Sequence, residues 1–513
     1  MSTRRTFLRA ASAIALAQPL RLLAQPRFQK NPFTLGVASG YPQPDGIVLW
    51  TRLAPDPLNG GGMPDAAVEV AWEIADNESF NPVLRKGTAR ATPALAHSVH
   101  AEINGLQAAR WYWYRFHAGE ATSTAGRFRT APAAAAAAND RLRFALASCQ
   151  QYEQGYFAAY RYMARDELDL VIHVGDYIYE SSWGDNRVRS HGSPESITLT
   201  DYRNRYALYK SDADLQAAHA AFAWLVTWDD HEVSNDYAND RSQRADPPAP
   251  FLQRRAAAYQ AYYEHMPLPA WARPRGANAQ LYMQTAFGQL ARFYVLDDRQ
   301  YRSHQVCARP GRGGSSIVKD AECPQRLSPE LSLLGTEQER WLNSAFEKSS
   351  AGWNIIAQQT LMAQRSRDTD GASGYWTDGW DGYPKARERL LGAIAQRKIS
   401  NPLVLGGDVH AGIVADLKMN FDDPKSSVIA TEFVGTSISS QGPGAKFTEA
   451  AIQRNPHLKF YNGTQRGYTA FEVTPARCHV RMRTLSGVAD PQATISNLAA
   501  FVVESGKAGA QQL

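Results

Sequence analysis

A chain of 513 residues is too long for one compact core, so two or more domains are expected. Its 44% hydrophobic and 20% charged content is that of an ordinary globular protein, and no run of about 18 apolar residues offers a spanning helix or a stable membrane anchor. The net charge of +5 falls to about +1 without residues 1–24, which hold Arg4, Arg5, Arg9 and Arg21 and no acid, so charge gives no case for a nucleic-acid partner.

The first predicted element is a leader. Thr3-Arg4-Arg5-Thr6-Phe7-Leu8-Arg9 precedes the weakly apolar stretch Ala10 to Ala17, the layout of a bacterial twin-arginine export signal. The expected partner is the twin-arginine export machinery and the expected location is the periplasm or beyond. Cleavage after Ala17 and after Ala24 both fit.

From about Asn31 to Thr130, alternating runs such as Gly46–Trp50, Val68–Ile74 and Trp111–Phe116 are broken by turns. Period-two alternation at that spacing predicts an all-β antiparallel sandwich, and Gly105-Leu106 before a Tyr-rich run gives it a fibronectin III character within the immunoglobulin-like class. Residues 131–140, with six alanines in a row, read as a linker between unlike patterns. From Arg141 to about residue 490, apolar strands alternate with helical segments, the mark of an α/β layer fold. Strands are expected at Leu142–Ala147, Leu170–Val174, Ala223–Thr227, Ala291–Leu296, Asn354–Ala357, Leu403–Leu405 and Val428–Phe433. Helices are expected at Gly155–Arg165, Arg254–His265 and Glu337–Lys348. Residues 491–513 form a C-terminal segment, frayed from Ser505 onward. Four cysteines do not make a disulfide scaffold. Cys307 and Cys323 can pair outside the cytoplasm, and Cys478 reads as a buried structural thiol.

The chemistry gathers where α/β sheets place ligands, beyond the carboxyl ends of strands. Ser148-Cys149 follows the first α/β strand, and Gly175-Asp176 with Tyr179 follows the second. Asp229-Asp230-His231-Glu232 and Asn235 follow the third, and Gly406-Gly407-Asp408-Val409-His410 follows the Leu403 strand. One Asp after a strand is often only a helix cap; four such turns together point to a metal site. Carboxylates at Asp176, Asp230 and Asp408 suit hard cations, whereas the Cys149 thiolate and the His410 imidazole suit transition metals. A mixed cluster follows. Asp176 is the candidate bridge between two ions about 3.5–4 Å apart, a spacing suited to displacement at phosphorus.

Ser-Cys-Gln at 148, Gly-Asp-Tyr-Ile-Tyr-Glu at 175, Trp-Asp-Asp-His-Glu at 228, Asp-Asp-Arg-Gln-Tyr-Arg at 297 and Gly-Gly-Asp-Val-His-Ala at 406 occur in this order. Together they resemble the PhoD-like alkaline phosphatase family of the calcineurin-like metallophosphoesterase superfamily, which is related to purple acid phosphatases. The resemblance spans residues 33 to 490 and includes the leading β-sandwich. It implies an exported hydrolase of phosphate esters, monoesters or diesters, that uses ferric iron (Fe3+) and calcium (Ca2+). On that resemblance, Cys149, Asp176 and Tyr179 hold iron, Asp176, Asp230, Asn235 and Asp408 are calcium ligands, and His410 lies on the cluster. The attacking species would be a metal-bound hydroxide. Arg299 is expected to clamp phosphate oxygens and His231 to neutralise charge or protonate the leaving oxygen. Asp297-Asp298 stands where relatives often have Asp-Thr.

Several residues are set aside. His173 reads as a core histidine. His97, His100, His117, His457 and His479 show no carboxylate partner, and the aromatic loop 368–383 is expected either to line the entrance or to pack. A phospholipase D-like diesterase is the nearest rival. A serine hydrolase is disfavoured because Gly435-Thr436-Ser437-Ile438-Ser439 lacks the closing glycine.

Overall fold

Eight short strands come first in the chain: β1 (Val37–Gly40), β2 (Ile47–Arg52), β3 (Val68–Ala75), β4 (Arg85–Ala91), β5 (Ser98–Ile103), β6 (Trp111–Ala118), β7 (Ala121–Thr122) and β8 (Gly126–Arg129). The computed structural model describes residues 28–136, 141–369, 372–445 and 448–513, so the export-signal reading of residues 1–24 and the end of the Ala-rich stretch lie outside it. β6 shows why this region is sheet: Tyr112, Tyr114, Phe116 and Ala118 are buried, and the residues between them are half-buried. Sheet β4-β3-β6-β7, with β8 on β6, faces β1-β2-β5 across a core that includes Leu49, Val70, Ile74, Phe116 and Phe128. On the outer face His117 does have an acidic partner, correcting the sequence reading. Its Nε2 lies 3.2 Å from Glu73 Oε2 on the neighbouring strand, a register that the linear sequence does not display.

Residues 131–136 form turn and coil. The α/β region then runs β9 (Leu142–Ala147), α1 (Ala158–Met163), β10 (Leu170–His173), α2 (Leu199–Lys210), α3 (Ala213–Ala221), β11 (Ala223–Val226), α4 (Pro248–His265), β12 (Met283–Phe287), β13 (Ala291–Val295) and β14 (Ile317–Val318). It continues with α5 (Gly335–Glu347), β15 (Trp353–Ala357), β16 (Arg367–Thr369), β17 (Ala372–Trp376), α6 (Pro384–Gln396), β18 (Pro402–Gly406), β19 (Gly412–Lys418), β20 (Val428–Val434) and α7 (Thr448–Arg454). The last strands are β21 (Leu458–Asn462), β22 (Gly467–Val473), β23 (Arg477–Leu485), β24 (Ile495–Glu504) and β25 (Gln511–Gln512).

Two large sheets organise these elements. One has ten strands in the order β25-β24-β23-β22-β9-β10-β11-β1-β2-β5, the other seven in the order β12-β13-β15-β18-β20-β19-β21. β9, β10 and β11 are parallel neighbours, as are β13, β15, β18 and β20. Strands buried on both faces read as continuous apolar runs, and Leu170–His173 and Ala223–Val226 are buried throughout. The sheets meet where Phe144 of β9 packs edge-on to Phe293 of β13, with ring centroids 5.4 Å apart. α5 and α6 cover the far side of the second sheet.

Two boundaries differ from expectation. β1 pairs in parallel with β11, Ser39 opposite Ala223, so one layer of the leading sandwich is the flank of the ten-stranded sheet. The C-terminal segment is also no appendage. β24 pairs along β23, and Gln511 and Gln512 pair with Val502 and Phe501, so the tail is strand where fraying was expected. The physical reason is the open edge of β24, whose unpaired backbone groups take the chain end as a further strand.

Candidate metal centre

The parallel strands of both sheets end in sharp turns that converge. Cys149, Asp176, Asp408 and His410 all take left-handed backbone conformations, with φ of 57°, 56°, 61° and 53°. Such conformations cost about 1 kcal/mol or more at non-glycine residues and concentrate at functional sites. Gly175 makes the second turn possible, because a Cβ there would lie 2.4 Å from Asp229 Cβ. The Glu232 carboxylate holds that turn by accepting from the backbone N–H of Asp176 (3.2 Å) and of Tyr177 (2.6 Å).

Donor atoms of Cys149, Asp176 and His410 lie within 4.8 Å of one another, and so do those of Asp176, Asp230 and His231. Asp176 belongs to both groups. Its Oδ2 accepts from the Tyr179 hydroxyl at 2.7 Å, while its buried Oδ1 has no hydrogen-bond partner. The Tyr179 hydroxyl is 3.2 Å from His410 Nε2 and 2.8 Å from Ser440 Oγ. His410 Nδ1–H donates to the Gln441 carbonyl at 2.7 Å, which leaves Nε2 with its lone pair toward the cluster. Asp408 Oδ2 accepts from Thr360 Oγ1 at 2.6 Å. Asn235 lines the cavity, and its backbone N–H donates to Glu180 Oε1 at 2.9 Å. A third acidic group, Asp230, Asp236 and Asp378, adjoins these.

Negative charge is in excess here. Burial first, then Asp230 and Asp378, push Asp408 up to about 8, against the pull of Arg299. Burial, then Asp378 and Asp230, push Asp236 to about 6. Burial first, and next Asp176, push the Cys149 thiol well above its usual range. Burial and then Asp176 do the same to the Tyr179 phenol. A buried set of carboxylates, thiol and phenol resists ionising together unless cations compensate. The donor set therefore fits metal ions, with sulfur, phenolate and imidazole at one end and carboxylates and amide at the other.

The two residues expected to act on the phosphate both carry positive charge, in different settings. His231 Nδ1 meets Glu180 Oε2 at 2.7 Å; burial opposes protonation, but Glu180, Asp230 and Asp176 hold the imidazole well above its ordinary value. It lines the cavity. Arg299 does not, which corrects its reading as a phosphate clamp. Its guanidinium is 1% exposed and donates through Nε to Asp229 Oδ1 (2.5 Å) and through Nη1 to Asp378 Oδ2 (2.7 Å), with Nη2 3.7 Å from Asp230. The carboxylates beneath the cluster occupy its fork, so Arg299 neutralises the floor of the site.

A cavity of about 1050 Å³ opens over the cluster. The loop 368–383 divides between its two expected roles: Trp376 lines the cavity, while Tyr375 and Trp380 are buried. Asp378 of that loop also anchors Arg299 and Arg302, a role that chain position does not signal. Also missed were Glu180 and Thr360, whose partners lie 51 and 48 residues away, and Trp183, stacked on His410 with centroids 5.8 Å apart. His173 is a core histidine stacked on Trp224.

Parallel strands from two stacked sheets, aiming acids, a thiol and imidazoles into one crevice, define a metallophosphoesterase-like protein. The PhoD-like phosphatase family profile matches residues 144–482, and the profile of that family's N-terminal domain matches residues 16–132. Alkaline phosphatase D of Bacillus subtilis (strain 168) is 47% identical, the alignment covering 99% of this chain and 89% of the relative. A solved structure described as that of PhoD superposes with a TM-score of 0.90 at 48% identity, covering 95% of this chain and 93% of the other. A purple acid phosphatase from yellow lupin shares the fold, with a TM-score of 0.55 at 13% identity over 91% of this chain and 73% of its own. The chain belongs to the PhoD-like phosphatase family, and it is a phosphoric ester hydrolase. The phospholipase D-like rival finds no support in these likenesses.

Proposed function

We propose that this protein is an exported alkaline phosphatase that hydrolyses phosphate monoesters, diesters or both at a mixed iron and calcium centre. The observation that carries the reading is Asp176, shared between a group with Cys149 and His410 and a group with Asp230 and His231. On this reading Cys149, Tyr179 and Asp176 hold ferric iron, Asp176, Asp230, Asn235 and Asp408 hold calcium, and His410 lies on the cluster. When bound, the ions supply Lewis acidity that acidifies a coordinated water and draws charge from phosphoryl oxygens.

The protein's own groups do the rest. His231, kept protonated by Glu180, stands at the cavity wall as a donor to the leaving oxygen. Arg299 and Arg302 fix the floor carboxylates, so the ligand geometry is set before substrate arrives. The Cys149 and His410 backbones are both tied to the 437–441 turn, through Ser440 and Arg466.

Export is part of the proposal, with the leader expected within residues 1–24. The Cys307–Cys323 disulfide, which suits an oxidising compartment, supports it. No helix among the described residues is long and apolar enough to cross a membrane. The direct test of function is metal analysis of purified protein alongside hydrolysis of an aryl phosphate and the matching bis-aryl phosphate. Tightly held iron and loss of activity on calcium chelation, reversed by adding calcium back, are expected. Full activity in metal-free protein would overturn the reading.

A further inference from the structure

Most buried arginines here are tied down. Arg299, Arg302, Arg326, Arg387 and Arg466 each donate to a carboxylate or a carbonyl. Arg365 and Arg367, on the cavity wall, are different. Among the described residues no carboxylate pairs with either guanidinium, and the buried Arg367 Nε has no acceptor. Only rings support them: Arg365 lies over Tyr461 at 5.0 Å and Arg367 over Trp376 at 5.6 Å. Ser366 between them also lines the cavity and carries a buried Oγ without a partner.

Among the described residues, the nearby acids are committed elsewhere. Asp381 accepts from Arg387 Nη1 and from the Arg365 backbone N–H, each at 2.8 Å, and Asp408 belongs to the metal centre. Burial first, then repulsion from Arg365, lower Arg367 to about 10, so an incoming anion relieves an existing electrostatic cost. The segment is also held in place before any ligand arrives. Asn455 clamps the Ser366 backbone at both its N–H (2.8 Å) and its carbonyl (3.0 Å), and Arg367 pairs with Gly374 across two strands. Both arginines also border a small cleft behind Val409, with Leu361, Trp376 and Trp380, to which no candidate metal ligand contributes. The wall they form thus extends past the candidate ligands with which it shares the main cavity.

We propose that Arg365, Ser366 and Arg367 form an anion subsite that takes a second phosphate of the substrate, so that preferred substrates are esters whose alcohol itself carries a phosphate. The inference rests on the phosphoester reading of the metal centre. Two guanidinium forks in a half-buried wall suit a phosphate dianion or diester better than a neutral alcohol.

The test needs no turnover. Propylphosphonate and a series of alkane bisphosphonates of increasing spacer length are titrated calorimetrically into the metal-loaded protein. The best bisphosphonate is expected to bind at least about tenfold more tightly than propylphosphonate, and Arg365→Gln and Arg367→Gln each to cut that advantage below about threefold. Propylphosphonate affinity is expected to move by less than about twofold in both variants. Arg367→Lys, which keeps the charge without the fork, is expected to retain an intermediate advantage and to guard against misfolding as the explanation. Equal binding of all probes to the native protein overturns the subsite. So does an equal loss for both probe types in the glutamine variants, which would put the arginines on the reacting phosphoryl group or in the fold. If propylphosphonate fails to bind while a bisphosphonate still binds in an arginine-dependent way, the metal-centre reading falls and the subsite stands.

Discussion

The two sheets contribute unequally to one crevice. From the ten-stranded sheet, neighbouring parallel strands β9, β10 and β11 deliver Cys149, Asp176 and Asp230 in sequence order. From the seven-stranded sheet, β18 delivers Asp408 and His410, but β13 and β15 deliver Arg299 and Thr360, which neutralise Asp229 and donate to Asp408. The first sheet supplies most of the negative charge, and the second, besides Asp408, supplies groups that make that charge tolerable. A metal site needs both, because carboxylates gathered in a dry interior repel one another until cations, guanidinium groups and donated hydrogen bonds offset the cost.

The comparison is broken most severely at its centre. Asp176→Asn removes the charge shared by both ligand groups, and activity is expected to fall more than about 100-fold, beyond the usual effect of an outer-shell change. Metal content by mass spectrometry checks the cause: a variant that keeps the native metal content would count against Asp176 as the proposed bridge. Arg299→Ala probes the opposite sheet. It strands Asp229 without its buried partner and leaves Asp378 with Arg302 as its one remaining cation, so stability in urea is expected to fall by about 3–5 kcal/mol. Inhibition by inorganic phosphate should stay unchanged, whereas a weakened inhibition at full stability would restore Arg299 as a phosphate ligand.

A third change sharpens the contrast between wall and floor. The disulfide closes a separation of 16 residues around β14, whose Ile317 lines the cavity. Replacing both cysteines by serine is expected to cost about 3 kcal/mol, with the metal content unchanged. Loss of metal in that variant would tie the wall to the centre. The smallest effect is expected at Glu180→Gln. A weaker hold on His231 lowers kcat by about tenfold with little change in KM. An unchanged kcat would leave His231 without a role in proton donation.

Much of this was legible in the chain. The strands at 142, 170, 223, 291, 353, 402 and 428 stand within two residues of expectation, because strands buried on both faces leave continuous apolar runs. α2 was missed although Thr198 and Asp201 form a capping box, since its buried face is carried by Tyr202, Tyr206 and Tyr209 and reads as polar. α4 begins earlier than expected, at Pro248, the position where proline opens a helix.

The sequence by itself determined which residue types stand at the ends of which strands, and hence the donor chemistry. Gly-Asp turns, a cysteine and an Asp-Val-His run are local features, written in consecutive residues. Only the tertiary structure decided what those residues face. It turned Arg299 down into a carboxylate floor and left Arg365 and Arg367 on the wall. It also made the C-terminal residues a strand and joined the leading sandwich to the catalytic sheet. The reason is physical: a side chain's charge is set by its identity, but its partner is set by packing across sequence separations of 48 to 79 residues, as for Asp408 with Thr360 and Arg299 with Asp378.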